Sequence, residues 1–421
     1  MPIAHLFQPL LLACLLNLLV GLAAWVLTPS GPVAILNSWS QGFGSLMGFA
    51  MQMVLMLLLG HVLASATWVY ARLQALARWL SLQRGTAFWI VVLSAAISWL
   101  HWGLGLVAGA LIAREVARSQ PNNSVARLRY TAAAYAGFIV WHGGWSGSAP
   151  LVVATPKHNW ASSLGVIPVS ETLLSPLNLC LLLGIILTAA LSVQFLPVKA
   201  GQLMSAAAEP EQSPPVAPQA RSWDYVLPTG WLMVILTACL LLSGQQSLNL
   251  NTVILLLFGL SFALHRHSTA LQQAVSEGLG ETAGVVLQFP LYGALMGMMQ
   301  DSGLAVMLSE QLLTVATPAT FLPLAFLSAG VLNFLVPSGG GQWAVQAPVL
   351  IPVAQSLQAD MGQMVIAFAW GDTWTNLIQP FWALPLLAIT RVQALDLLRL
   401  SSKVCLLTGI VASLIFYGFG A

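Results

Sequence analysis

Asn333–Pro348 reads NFLVPSGGGQWAVQAP, a proline, a serine and three consecutive glycines set between two strongly apolar runs. Glycine triplets suit loops, yet the residues around this one have the composition of a chain in lipid. Irregular backbone at membrane depth is tolerated only where protein buries it or water bathes it. Pro337-Ser338-Gly339-Gly340-Gly341-Gln342 is therefore expected to form the tip of a re-entrant hairpin that lines a cavity. Without Cβ atoms, the glycines let successive N–H groups point at a ligand, and a helix starting there adds about half a positive charge. Such a tip suits a carboxylate. The competing reading, a plain surface turn between two spans, fits poorly with short arms that carry Gln342 and Gln346.

The rest of the chain supports a lipid setting. It has 421 residues, 58% of them hydrophobic and only 6% charged, with a mean hydropathy of +0.84. A soluble domain carries roughly a quarter charged residues, so this chain cannot clothe a surface in water. Phe7–Leu27, Leu173–Phe195 and Val404–Phe419 approach or reach the ~20 residues that a helix needs to cross a bilayer. An all-α polytopic membrane protein follows. A net charge of +2 is too small to imply nucleic acid. Cys14, Cys180, Cys239 and Cys405 lie in apolar runs without metal-ligand or disulfide-like spacing. The first apolar run lacks a basic leader and reaches spanning length, so no cleavable signal peptide is expected.

Hydropathy and breakers predict spans at Phe7–Leu27, Phe43–Thr67, Thr131–Val153, Leu173–Phe195, Gly230–Ser243, Asn251–Leu264, Ala283–Met299, Met364–Ile389 and Val404–Phe419. Two regions fit ordinary spans poorly. Phe88–Ile112 carries HWGLG in its middle, and Phe321–Leu357 carries the opening motif; both read as hairpins that enter and leave on one side. With Arg72, Arg78 and Arg84 inside, thirteen of the fourteen Lys and Arg fall inside and only Lys157 outside. That bias obeys the positive-inside rule and places the N-terminus in the cytoplasm.

Lys199–Trp223, with EPEQSPPVAPQA at its centre, has a composition that cannot bury a core, so residues 199–228 are expected to be a flexible cytoplasmic linker. It separates two halves with weak internal similarity. LSAAISWLHWGLG (Leu93–Gly105) aligns with LSAGVLNFLVPSG (Leu327–Gly339), and roughly 40 to 50 residues on from each start WHGGWS (Trp141–Ser146) aligns with WGDTWT (Trp370–Thr375). Residues 1–198 then form a first repeat, with a hairpin at about 88–112 and a broken helix at about 131–153. Residues 229–421 hold an extra span and a second, inverted repeat, with a hairpin at about 321–357 and a broken helix at about 364–389. This is the inverted-repeat architecture of many secondary transporters.

The breaks carry the candidate chemistry. His142-Gly143-Gly144-Trp145-Ser146-Gly147-Ser148-Ala149-Pro150 interrupts one span, and its freed backbone groups with the Ser146 and Ser148 hydroxyls can coordinate a small cation or an anion. A span of small residues packed closely against a neighbouring helix is the simpler alternative. Gly371–Pro380 is its counterpart, where Asp372, Thr373, Thr375, Asn376 and Gln379 supply polar groups that cost several kcal/mol in an apolar run unless satisfied. Asp372 is the only carboxylate well inside a span; it can ligate Na⁺ when ionised, carry a proton, or merely cap the helix after the break. His142, almost opposite it in the repeat, and Asn333 join it as candidates for ion coupling. Gly144-Trp145-Ser146-Gly147 also matches the GxSG setting of an intramembrane serine protease with Ser146 as nucleophile. That enzyme would have no use for the second, glycine-rich hairpin.

LHWGLGLVAGALIAREVAR (Leu100–Arg118), GGWSGSAPL, NFLVPSGGGQWAVQAPVL and GDTWTNLIQPFWALPLLAI together resemble the AtoE-type short-chain fatty acid transporters, from roughly Gly48 to the C-terminus. The resemblance implies uptake of small monocarboxylates such as acetoacetate, butyrate or acetate across the cell inner membrane. More remotely, the hairpins and broken spans resemble the divalent-anion/sodium symporters of the ion transporter superfamily, which place a Ser-Asn-Thr motif at each hairpin tip and move one domain as an elevator. Here Ser338-Gly339-Gly340 and Thr375-Asn376 stand in its place. The resemblance implies Na⁺ or H⁺ coupling, with a Na⁺ near Ser146, Ser148, Ser338 and Asn376, no other cofactor, and a homodimer. Substrate contacts are then expected from Ser146, Gly147, Ser148, Ser338, Gly339, Gly340, Gly341, Gln342, Thr373, Thr375 and Asn376. No Lys or Arg lies in these motifs, which suits a single negative charge better than two. Trp145, Trp343, Trp374 and Phe381 are candidates to seat a short alkyl chain, and a carrier for a different organic anion remains the alternative substrate reading.

Overall fold

The computed structural model of the chain describes residues 9–118, 124–198, 224–265 and 267–420. Among these the regular structure is all helical. Most of the linker expected at residues 199–228 lies outside the described residues, as do Arg221 and Arg266.

The first half comprises α1 (Pro9–Leu27), α2 (Pro32–Phe43), α3 (Met47–Ser65), α4 (Thr67–Leu80), α5 (Thr86–Leu100), α6 (Trp102–Arg118), α7 (Ser124–Phe138), the short α8 (Ser148–Val153), α9 (Ala161–Leu164) and α10 (Pro176–Phe195). The second half comprises α11 (Val226–Leu242), α12 (Leu250–His265), α13 (Ser268–Asp301), α14 (Leu304–Leu313), α15 (Pro318–Leu332), α16 (Gly339–Ser356), α17 (Met361–Thr375), α18 (Pro380–Thr390) and α19 (Ala394–Gly420). Among the described residues, five stretches are long and apolar enough to cross a bilayer: Leu10–Leu27, Met47–Ser65, Pro176–Phe195, Thr282–Asp301 and Ala394–Gly420. Their outer faces expose Leu18, Leu183, Phe195 and Leu414, as a lipid-facing surface does.

Helix starts follow local chemistry. Ser175 accepts from the Asn178 N–H with Pro176 in the first turn, Thr317 and Thr320 form a reciprocal capping box before Pro318, and Asp360 accepts from the Gln363 N–H at 2.8 Å. These caps satisfy N–H groups that have no partner inside the helix.

Among the described residues, four helices fall outside the predicted spans, one of them the single-turn α9 between two of those spans. Phe43 ends α2 instead of starting a span, the amphipathic α4 follows α3 after a kink at Ala66, and α14 follows α13 at the left-handed Gly303 (φ 83°). Each is short or half polar, so hydropathy over a spanning window passes over it. The predicted 131–153 segment also starts late, because the polar residues of Ser124–Tyr130 are helical too.

Packing sorts the helices into two groups. One group has α1, α2 and α3 against α13, with α12 against α3 and α11. In the other, α5, α6 and α7 pack mutually, α10 lies against α19 and α5, and α15 lies against α17 and α19. The groups meet where α13 touches α16 and where α6 touches α3 and α4.

Arg129 on α7 ties the second group together. Its guanidinium donates to the carbonyls of Val193 (2.7 Å), Gln194 and Leu196 (3.2 Å), the carbonyls orphaned at the end of α10. Hydrogen bonds to a charged group contribute about 1.5–3 kcal/mol, and a cation suits a helix C-terminus. Arg129→Gln is expected to lower stability by about that amount, read as a lower unfolding midpoint of the purified protein in detergent.

Candidate functional site

The glycine-rich stretch and HWGLG both break their helices. His101, in extended conformation (φ −159°, ψ 122°), separates α5 from α6, and residues 333–338 separate α15 from α16. The other two motifs also break their helices: the 141–143 and 376–378 segments are single 3-10 turns between α7 and α8 and between α17 and α18.

In each half the turn of the helix pair docks on the break that follows it. In the first, Ser146 Oγ accepts from the Trp102 N–H at 2.9 Å and the Trp145 N–H donates to the Trp99 carbonyl at 2.7 Å. A Cβ at Gly144 would lie 2.1 Å from that same carbonyl oxygen, so only glycine permits the approach. His101 pins the turn from behind: its Nδ1 accepts from the Leu104 N–H, and its Nε2 meets the Met56 carbonyl at 3.1 Å. In the second half, Asn333 Nδ2 donates to Thr375 Oγ1 (2.9 Å) and Asn376 Oδ1 (2.8 Å), and Thr375 Oγ1 donates to the Gly330 carbonyl. Gln342 Nε2 reaches the Ala329 carbonyl, and Gln379 Nε2 the Asn333 carbonyl. This polar bracket pairs those donors with carbonyls that hydrocarbon would leave unpaired, while Asn333 Oδ1, Gln342 Oε1, Asn376 Nδ2 and Gln379 Oε1 stay buried without a partner among the described residues.

The two breaks also meet each other. Thr373 Oγ1 donates to the Ile139 carbonyl, and the Tyr135 hydroxyl donates to the carbonyls of Asn376 and Gln379. Asn178 holds the crossing, donating to the Gly143 carbonyl and accepting from Trp370 Nε1. At its centre His142 Nδ1 lies 2.6 Å from Asp372 Oδ2, both buried. The other ring nitrogen, Nε2, faces the Ala149 N–H at 3.2 Å and Ser148 Oγ at 3.0 Å. Nε2 therefore accepts, and the ring proton sits on Nδ1 and is donated to Asp372. The serine of the GxSG match, Ser146, takes no part in this chain.

A cavity of about 350 Å³ opens beside the crossing. Ser146, Ser148, Ser338, Gly339 and Gly340 line it, with no Lys or Arg among the lining residues. Ser338 caps α16, accepting from the Gly341 N–H, while the N–H groups of Gly339 and Gly340 have no partner among the described residues. The first turn of α16 thus turns unpaired donors toward the cavity, as an anion site requires.

The remaining candidates stand behind this wall. Gly147 is packed on the His142 carbonyl and Gly341 on the Tyr292 ring. Gln342, Thr373, Thr375, Asn376 and Asn333 belong to the bracket or the crossing, and His142, which holds Asp372, packs on the lining residues Ser148, Gly339 and Trp141. Of the four residues expected around Na⁺, the three serines line the cavity and Asn376 does not.

Sequence reasoning missed much of the apolar wall. Its tryptophans are Trp102, Trp141 and Trp382. Trp145 packs on Trp99, Trp343 on Trp160 and Phe368, and Trp374 on Phe326; the side chain of Phe381 lies outside what is described. Met53, Met56, His61, Gln288 and Phe289 from α3 and α13 also line the cavity. His61 and Gln288, polar residues in apolar runs, were the signals available for them.

Broken helices crossing at a solute-sized, cation-free cavity inside an all-helical bundle define a polytopic membrane transporter. The family model described as short chain fatty acid transporter matches residues 3–211 and 225–419. A relative from Escherichia coli (strain K12) is 35% identical over 416 residues, 96% of this chain and 94% of its own length. One from Haemophilus influenzae (strain ATCC 51907 / DSM 11121 / KW20 / Rd) is 33% identical over 413 residues, covering 94% and 92%. Both carry the name short-chain fatty acid transporter as a provisional one. The chain belongs to the short-chain fatty acid transporter family. Its fold is shared by the Alcanivorax borkumensis YdaH transporter, described as having an unusual topology, at TM-score 0.61, 17% identity and 98% coverage of both chains. Neisseria gonorrhoeae MtrF, described as illuminating a class of antimetabolite efflux pumps, follows at TM-score 0.58, 16% identity and 97% and 94% coverage. The relatives are named as transporters, not enzymes, and the protease reading of Ser146 is not favoured.

Proposed function

We propose that the protein is a secondary active transporter that imports short-chain fatty acids such as butyrate, acetate or acetoacetate, coupled to Na⁺ or H⁺. The cavity carries this reading: hydroxyls and unpaired N–H groups for one carboxylate, apolar walls for a short chain, and no fixed cation to hold a second charge. Ser146, Ser148, Ser338, Gly339 and Gly340 contact the substrate. Gly147, Gly341, Gln342, Thr373, Thr375 and Asn376 hold those groups in place, and Asp372, His142 and Asn333 couple the ion. A coupling Na⁺ would draw on the three serine hydroxyls.

The two helix pairs act as re-entrant hairpins of an inverted repeat. At 1.5 Å per residue, α5 and α6 reach about 22 and 26 Å, short of the ~30 Å hydrocarbon core. The division of the helices into two packed groups, with the cavity at their boundary, supports an elevator-type motion of the group holding both breaks. The 13-to-1 charge split supports a cytoplasmic N-terminus and linker in a bacterial-type inner membrane. A homodimer through the other group would leave the moving group free.

Uptake of labelled butyrate into proteoliposomes, with sodium and proton gradients imposed separately, tests the function. Saturable uptake driven uphill by one gradient is expected. Uptake that neither gradient raises, or that no short monocarboxylate saturates, would point to a different organic anion or a different class. Ser146→Ala is expected to weaken transport in a graded way.

A further inference from the structure

We infer that Gln288 reads a second polar group on the substrate, an oxygen acceptor carried on the chain beyond the carboxylate, so that the cavity favours short oxo acids over plain fatty acids of the same length. The inference rests on reading this cavity as the substrate site.

Gln288 stands on α13, outside both breaks and both helix-pair turns, and is 8% exposed. Its side chain lines the cavity. Its Oε1 accepts from the Tyr292 hydroxyl at 3.1 Å. Tyr292 is itself wholly buried against the hairpin turn, its ring so close to Gly341 that a Cβ there would lie 2.3 Å from Cδ2. The amide is therefore held with its oxygen engaged and its NH₂ end left over. No hydrogen-bond partner for Nε2 exists among the described residues. That NH₂ end is open to the cavity, so a ligand oxygen placed there can take a hydrogen bond that only solvent would otherwise accept.

The chemistry of the walls selects the acceptor. A second carboxylate would bring a second charge into a cavity with no Lys or Arg, against a neutral amide. A hydroxyl would bring a donor hydrogen that needs an acceptor of its own. A ketone oxygen is an acceptor only and carries no net charge. Met53, Met56, Val285 and Phe289 complete the apolar wall, which suits the short carbon chain joining the two polar ends.

Acetoacetate and butyrate, four-carbon acids that differ in one oxo group, make the test. In wild-type proteoliposomes, unlabelled acetoacetate is expected to half-inhibit labelled butyrate uptake at roughly five- to tenfold lower concentration than unlabelled butyrate does, the gain from about one net hydrogen bond. In Gln288→Met, which keeps length and loses the donor, that ratio is expected to fall to about one. In Tyr292→Phe the amide is released to turn, and the ratio is expected to fall part of the way. A wild-type ratio near one overturns the inference, as does a ratio that persists in Gln288→Met. If Gln288→Met does not elute as folded protein, an unchanged ratio in Tyr292→Phe overturns it. If neither acid competes, the carrier reading itself falls; if both compete equally, only the role of Gln288 falls.

Discussion

Asp372→Asn is expected to abolish uphill accumulation of substrate while leaving the protein folded and able to bind. Asp372 accepts from His142 at 2.6 Å, and His142 in turn meets Ser148 on the cavity wall. A carboxylate three hydrogen bonds from a bound carboxylate, by way of His142 and Ser148, repels it, so binding needs either a cation or a proton nearby. Under an imposed tenfold ion gradient, each coupled ion contributes about 1.4 kcal/mol, enough for about tenfold accumulation. The variant is expected to stop near a ratio of one. If the ion is Na⁺, the sodium concentration for half-maximal uptake rises in Asp372→Asn. If it is H⁺, the asparagine mimics the protonated acid, so binding survives and the pH dependence of accumulation disappears. Asp372→Ala should behave worse, because it leaves the His142 Nδ1–H buried without an acceptor, which costs about 1–3 kcal/mol. Accumulation, sodium response and pH profile all unchanged in Asp372→Asn would reduce the residue to a structural partner of His142.

Gly144→Ala is the second large effect. Its Cβ would lie 2.1 Å from the Trp99 carbonyl oxygen and 2.7 Å from the Trp99 Cα. Both are backbone atoms, so no rotamer change relieves the clash. The turn between α5 and α6 must then separate from the first break, which gives up the Trp145 N–H bond to Trp99 and the Trp102 N–H bond to Ser146. Overpacking costs about 1–3 kcal/mol, and each of the two buried hydrogen bonds adds about 1 kcal/mol. Transport is expected to be lost, and the melting temperature in detergent to drop by several degrees. Gly48→Ala is the control, since a Cβ there meets nothing within 4 Å, and it should melt within about a degree of wild type. A Gly144→Ala protein with normal melting and uptake would show that the turn and the break need not touch.

The lipid setting, the breaks and the turns were all legible in the sequence, because each is a local property. An apolar run cannot face water, and a proline or a glycine cluster interrupts a helix whatever lies beside it. PSGGGQ, HWGLG, HGGWSGS and GDTWTNLIQP all fall at helix interruptions for that reason. The family was legible as well, since those motifs are long and ordered. The contacts between motifs were not. His142 and Asp372 are 230 positions apart, and their hydrogen bond exists because the turn after α7 packs against the end of α17. Sequence likewise marked Ser148 and Asn376 as equals, although one faces the cavity and the other is held by Asn333 and Tyr135. The difference lies in which way each break turns its side chains. Hydropathy counts Gln288 as one polar residue in an apolar span. Its use depends on α13 packing across the turn at Gly340 and Gly341, with Tyr292 holding one end of the amide. Only the tertiary structure decides that, because a helix's own sequence says which residues share a face but not what the face will meet.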